Sequence, residues 1–338
     1  MALETPRVSV VTPVYNGERF LGQCIESVLR QTYANWDYTI VNNCSTDRTL
    51  EIARDYAARD PRIRVRCNDK FVRVIENYNN AVRQISPESK YCKVVAADDR
   101  LMPECLEKMV GLAEAHPSAA IVGAYGMCGA ERPRLVWQGV PFPNELIRGR
   151  DACRSMLLGG PYVFGTPTSL LMRSELVRSR PTFYNEANLQ ADVEVCLELL
   201  QDHDFGFVHQ VLTFQGVRDD SLTSFSDEWG TNLPWVVTSL TKFGPRYLNE
   251  QEIALRLRNH LEGYYWYLGR QVFARRGRAF WSFHREKLAA AGHPLSRLRV
   301  ARCAAGVAAD AILNPKRSLG AARQWLQARA RERSSRPR

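Results

Sequence analysis

No Cys-x-x-Cys pair occurs among the nine cysteines, which fall at positions 24, 44, 67, 92, 105, 128, 153, 196 and 303. An odd, scattered set of this kind argues against a zinc site and against a disulfide framework, and points to a reducing compartment. The first seven residues, Met1 to Arg7, lack a basic region followed by an apolar one, so no signal peptide is expected. The least polar stretch towards the C-terminus, Ala304 to Leu313, is about half the roughly twenty residues needed to span a bilayer. A cytoplasmic protein is expected, at most resting on the inner face of the cell membrane. No Gly-x-Gly-x-x-Gly follows the first strand-like run, which counts against a dinucleotide cofactor, and no Gly-x4-Gly-Lys-Ser/Thr supports a P-loop. Internal repeats are also absent.

What is present is ordinary in bulk: 45% hydrophobic, 24% charged and 10% aromatic residues over 338 positions. That balance excludes wholesale disorder, a fibre and a polytopic membrane protein, and leaves room for about two domains. Charge is uneven. Of the net +10, +7 lies in Lys316–Arg338, so the body is nearly balanced and no nucleic-acid partner is expected. Leu319, Ala322, Trp325 and Leu326 fall at helical spacing in that tail, which reads either as a solvated end or as a basic amphipathic helix for anionic membrane.

From Arg7 the chain alternates strand and helix patterns. Strands are predicted at Val8–Val14, Tyr38–Val41, Ile63–Arg66, Lys93–Ala97 and Ala119–Tyr125. Helices are predicted at Arg19–Arg30, Thr49–Ala58, Val74–Ile85 and Pro103–Ala115. Strict alternation implies an α/β fold with a doubly wound, mostly parallel sheet. After Met127 the pattern turns irregular, followed by a helix near Leu189–Leu200 with one apolar face and a strand at Phe205–Phe214. Three segments are expected: an α/β domain over 1–226, a helical extension over 227–314, and a basic, partly disordered tail over 315–338. The aromatic run Tyr264–Tyr267 is expected to pack against the first domain.

In an open sheet, ligands bind beyond the carboxyl ends of the strands. Three such ends carry polar residues: Thr12 to Glu18, Asn42 to Asp47, and Asp98-Asp99. Two adjacent carboxylates repel unless a cation or hydrogen-bond donors offset them, and a divalent metal held together with substrate phosphates is the usual solution. Helix capping is the plainer reading of one Asp of that pair and of Ser45-Thr46-Asp47.

The combination of Val8-Ser9-Val10-Val11-Thr12-Pro13-Val14-Tyr15-Asn16, Asn42-Asn43-Cys44-Ser45-Thr46-Asp47 and Ala96-Ala97-Asp98-Asp99-Arg100-Leu101-Met102-Pro103 resembles the family 2 glycosyltransferases of the GT-A fold. The likeness covers roughly residues 7 to 225. It implies an inverting transfer of a sugar, hexosyl or deoxyhexosyl, from a UDP-, dTDP- or GDP-linked donor to a saccharide or lipid-linked acceptor in surface-polysaccharide or glycolipid synthesis, assisted by Mg²⁺ or Mn²⁺. By the same resemblance Pro13 and Tyr15 line the base pocket, Asn43 contacts base or ribose, Asp98 contacts ribose or sugar, and Asp99 holds the metal. Asp192, in Gln190-Ala191-Asp192-Val193-Glu194-Val195, matches the catalytic base, with Glu194 as the alternative. Arg218 stands near a His of relatives and would pair with diphosphate. Ala96 replaces an Asp found in many relatives, and Asn42 and Asn43 stand where many have Asp. A nucleotidyltransferase and a degenerate sugar-nucleotide-binding protein are the rival readings.

Overall fold

A computed structural model describes residues 5–129, 132–216 and 222–314. All seven residues of β1 (Val8–Val14) are buried, as expected of a parallel strand covered by helices on both faces. It is followed by α1 (Leu21–Leu29), β2 (Trp36–Asn42), α2 (Thr49–Arg59), β3 (Ile63–Cys67), α3 (Val74–Val82) and β4 (Tyr91–Val94). Next come β5 (Arg100–Leu101), α4 (Cys105–Ala115), β6 (Ala119–Cys128), β7 (Arg134–Val136), β8 (Leu146–Ile147) and α5 (Gly149–Leu157). A 3₁₀ turn at Pro167–Ser169 leads to β9 (Leu171–Arg173), α6 (Ser174–Arg178), α7 (Ala191–Leu199) and β10 (Asp204–Gln215). The remaining described chain is helical: α8 (Leu222–Trp229), α9 (Asn232–Tyr247), α10 (Glu250–Phe273), α11 (Arg278–Ala290) and α12 (Arg297–Leu313).

The sheet runs β3-β2-β1-β4-β9-β6-β10-β5, with β7 on β6 and β8 on β10. β3, β2, β1 and β4 are parallel, as are β6 and β10, while β9 enters antiparallel between β4 and β6. Strand order reverses at β1 and β4, which makes their carboxyl ends the natural ligand crevice. Leu21, Ile25 and Val28 of α1 and Leu106 and Met109 of α4 are buried in the sheet's core. Full burial of each such side chain is worth about 1.5–3 kcal/mol.

β4 is displaced from its expected Lys93–Ala97. It ends at Val94 because the Val95 N–H still reaches the Val11 carbonyl (2.9 Å) but the Ala96 N–H turns to the Thr168 hydroxyl (3.0 Å). Three residues of an apolar run thereby leave the sheet and carry Asp98 and Asp99 out over its edge.

The chain divides into two compact units. One runs to Glu228 and takes in Phe243–Asn249; the other holds Trp229–Lys242 and continues from Glu250. Phe243–Asn249 groups with the first unit because the Tyr247 hydroxyl donates to the Leu197 carbonyl and Arg154 Nη1 donates to the Tyr247 carbonyl (3.1 Å). In the second unit Tyr264 and Tyr265 are buried with Val237, Leu268, Phe280 and Leu288. The aromatic run packs within its own helices, where the Tyr264 hydroxyl is bonded to Nδ1 of buried His284 at 2.6 Å. Among the described residues no helix is long and apolar enough to cross a membrane. The basic tail lies outside them.

Candidate active site

The loops after β1 and β2 hold each other through reciprocal bonds. The backbone N–H groups of Asn16, Gly17 and Glu18 donate to Ser45 Oγ, Thr49 Oγ1 and Asp47 Oδ2 at 3.0, 2.7 and 3.1 Å. In return Thr46 N–H donates to Asn16 Oδ1 (2.8 Å) and Arg48 N–H to Glu18 Oε2 (3.1 Å). Asp47 also accepts from the Thr49 N–H at the start of α2 (3.0 Å), so it is a structural acceptor. Burial pulls its pKa up, but these hydrogen bonds outweigh that and hold it low.

The residues expected at the base separate. Pro13 is buried inside β1, in register with Val41. Tyr15, just past the strand, is 43% exposed and stands edge-on to Phe71, 58% exposed, with ring centroids 4.8 Å apart. Asn43 is committed elsewhere. Its Oδ1 accepts from the Val72 N–H (3.0 Å) and Asn68 Nδ2 (2.9 Å), and its Nδ2 donates to the Val72 carbonyl (2.9 Å). Both acceptor positions of that carbonyl are taken. The structure therefore places Asn43 in the wall of the 68–72 loop, where it presents Phe71, and not as an acceptor for a base.

Asp98 is half-buried and Asp99 buried where the chain leaves β4. Asp99 accepts from the Gly216 N–H (3.0 Å) and from the Thr168 hydroxyl. Burial first, and then the charge of Asp98, pushes Asp99 up to about 7, against those two donors and buried Lys93. Two adjacent carboxylates at a strand end, one of them raised by the charge of the other, fit Mg²⁺ or Mn²⁺ completed by substrate phosphates. No group of three or more His, Cys, Asp or Glu forms a metal cluster among the described residues. Arg218 lies outside them.

Asp192 is half-buried in the first turn of α7. The helix dipole alone favours its anion, yet burial pushes it up to about 6, against the Val193 N–H and its own. The reason is that α7 has no single apolar stripe: Ala191 and Val193 to Leu197 are all buried, so the helix is enclosed on nearly every side. Glu194, the alternative base, is buried and accepts from Asn185 Nδ2 (3.0 Å) and Asn188 Nδ2 (2.5 Å). It holds the loop in front of α7.

One side chain ties these groups together. The phenol of half-buried Tyr78 on α3 is pushed well above its usual range by burial and then by Asp99, Asp98 and Asp192. All three carboxylates disfavour the ionised phenol of Tyr78. Tyr78 and Phe71 were missed at the sequence level because neither belongs to a motif; an aromatic in the polar run Asn68-Asp69-Lys70-Phe71 is the sole signal for the latter. His209 is engaged at both ring nitrogens, by the Tyr125 hydroxyl (2.8 Å) and the Asn144 carbonyl (2.9 Å).

The family model for glycosyl transferase family 2 matches residues 9–179, just over half of the chain. The chain belongs to glycosyl transferase family 2. Among its relatives, the putative glycosyltransferase EpsE of Bacillus subtilis is 29% identical over 226 residues, 64% of this chain and 74% of that protein. The putative teichuronic acid biosynthesis glycosyltransferase TuaG of Bacillus subtilis is 32% identical over 105 residues, 31% of this chain and 41% of its own. Among solved structures, S. aureus TarS 1–349 in complex with UDP-GlcNAc superposes with a TM-score of 0.57 at 16% identity, covering 76% of this chain and 72% of that one. The mannosyltransferase PcManGT of Pyrobaculum calidifontis, in complex with GDP-Man and Mn²⁺, gives 0.53 at 16% identity, covering 96% and 86%. The family 2 chain has the GT-A fold these structures share.

Proposed function

We propose that this family 2 glycosyltransferase moves a sugar from a UDP-, dTDP- or GDP-linked donor to an acceptor hydroxyl with inversion at the anomeric carbon. The arrangement that carries the reading is Asp98-Asp99 just past the end of β4, with Asp99 bonded to the Gly216 N–H at 3.0 Å, and Asp192 in the first turn of α7. It supplies a paired-carboxylate end and a separate carboxylate, so one substrate can lie between a leaving-group site and a base.

Tyr15 and Phe71 stack against the base, sequence-tolerant contacts worth about 1–3 kcal/mol each. Asp98 accepts from a ribose or sugar hydroxyl. Asp98 and Asp99 would hold Mg²⁺ or Mn²⁺, which when bound offsets charge on the departing diphosphate. Arg218, standing near the position of a His in relatives, pairs with a diphosphate oxygen. Asp192 in its ionised form takes the proton of the acceptor hydroxyl as that oxygen attacks. Burial among α7 and its neighbours raises its affinity for that proton, bringing the carboxylate closer to the operating pH than an exposed Asp.

For the acceptor we favour a growing surface saccharide, on a lipid carrier at the inner face of the membrane, with the basic tail resting on anionic lipid. The names of EpsE and TuaG as glycosyltransferases, and of TuaG in teichuronic acid biosynthesis, support that choice. The test is incubation with a panel of UDP-, dTDP- and GDP-sugars, with and without Mn²⁺, reading slow donor hydrolysis. Hydrolysis of one donor class, stimulated by Mn²⁺, is expected; no turnover with any donor would count against the assignment.

A further inference from the structure

Trp137 combines three features that packing alone leaves unexplained. Its backbone is left-handed, φ +66°, a conformation that bulky residues rarely adopt. Its indole is seated against two glycines: a Cβ at Gly126 would come within 3.1 Å of Nε1, and one at Gly165 within 3.3 Å. Its N–H is buried there with no partner among the described residues, although a buried indole N–H usually finds one. Strain and an unpaired donor kept at one residue point from an outlier towards function.

The neighbours say which function. The half-exposed Trp137 ring meets Tyr162 edge-on at 5.5 Å, and the Tyr162 hydroxyl donates to the Gly165 carbonyl at 2.7 Å. Tyr162 also lies within the field of Asp192. The following turn is fastened by Gln215 Nε2, which donates to Thr166 Oγ1 (3.1 Å) and Ser169 Oγ (2.9 Å), and by the bond from Thr168 to Asp99. Trp137 is thus linked, through Tyr162 and the 165–169 turn, to the paired carboxylates. Sheet order supplies direction. Tyr15 and Phe71 follow β1 and β3, Asp98 and Asp99 follow β4, and Trp137 follows β7, which hangs from the end of β6. A substrate with its base over β1 to β3 and its diphosphate at β4 has its far end on the Trp137 side.

We infer that the Trp137 indole, braced by Tyr162, is the platform on which the acceptor's pyranose ring stacks. This rests on the sugar transfer proposed above. Apolar C–H faces of a pyranose suit an aromatic plane, and Trp offers the largest such plane at low cost in side-chain ordering.

The test uses the full chain, the donor identified by the panel, and methyl α- and β-hexopyranosides as acceptors. Trp137→Ala should raise the acceptor KM about tenfold, more than the donor KM, and Trp137→Phe should recover most of the loss. An acceptor KM that does not move, or a donor KM that rises equally, overturns the inference. Independently of whether Trp137→Ala folds, 5-fluorotryptophan in the native chain gives a fluorine resonance for Trp137, assigned by its loss in Trp137→Phe. With UDP present it should shift on titration with at least one methyl hexopyranoside, and no shift with any overturns the platform. Because the shift needs no turnover, failure of donor hydrolysis alone tells against sugar transfer, not against the platform.

Discussion

Replacing Asp192 by Asn should make the protein less active and more stable at once. Burial raises the Asp192 carboxyl from 3.8 to about 6 in the folded chain. A base of pKa about 6 is roughly 90% ionised at pH 7 and roughly 10% at pH 5, so kcat/KM should fall about tenfold across that interval. Asp192→Asn removes the base, costing about 10²-fold or more at pH 7.5, and should remove that acid limb with it. The stability sign follows from linkage. A group whose folded pKa lies above its unfolded value favours the fold below the unfolded value, near 3.8, and loses that contribution as pH rises through about 6. At pH 8 the native chain therefore bears an opposing contribution of up to about 3 kcal/mol that Asn, neutral in both states, does not. Asn retains a carbonyl to accept from the N–H groups of α7. Rates from pH 5 to 8.5 and urea unfolding at pH 4 and pH 8 test both halves. An acid limb that survives in Asp192→Asn, or a variant less stable than the native chain at pH 8, would refute the reasoning.

Asp99→Asn should abolish the Mn²⁺ response of donor binding, weakening the donor about tenfold or more in the presence of metal; calorimetric titration with and without Mn²⁺ reads it, and an undiminished response contradicts the assignment. Asn43→Ala should cost about 2–3 kcal/mol in urea unfolding, because the buried Val72 N–H and C=O lose their partner. Tyr15→Ala combined with Phe71→Ala should weaken nucleotide binding at least tenfold while leaving unfolding nearly unchanged, since both rings are largely exposed. Truncation after Asn314 should remove salt-sensitive binding to anionic vesicles, and equal binding by the shortened chain would make the tail a solvated end.

Long periodic stretches were readable from residue patterns: β1, α2 and β3 lie close to where alternating β-branched and helical runs place them. The shorter strands β5, β7, β8 and β9 have two or three residues each, too few to show a period. The end of β4 was misplaced because Val95-Ala96-Ala97 has a strand's composition, and only the hydroxyl of Thr168, seventy residues on, draws Ala96 out of the ladder. Asp98, Asp99 and Asp192 stood out because they sit in motifs. Phe71, Tyr78 and Trp137 matter through neighbours brought from other strands, which no local pattern encodes.

Asn43 shows how one residue type can point to two chemistries. An amide is able to read a base edge, and it is equally able to mimic a strand by pairing with both the N–H and the C=O of a single residue; Asn43 does the second with Val72. An Asp at this position could accept from the Val72 N–H but would set a charge against the Val72 carbonyl, which Nδ2 now satisfies. Asn68 extends the same logic: its Nδ2 donates to Asn43 Oδ1 and Asn77 Oδ1, both at 2.9 Å, and its Oδ1 accepts from Asn80 Nδ2 at 3.1 Å. This amide network ties the 68–72 loop to α3, the helix that carries Tyr78. The position of Phe71 beside Tyr15 and that of α3 with Tyr78 thus share one set of hydrogen bonds. The Asn43 side chain that the sequence motif singles out is therefore spent on holding the 68–72 loop.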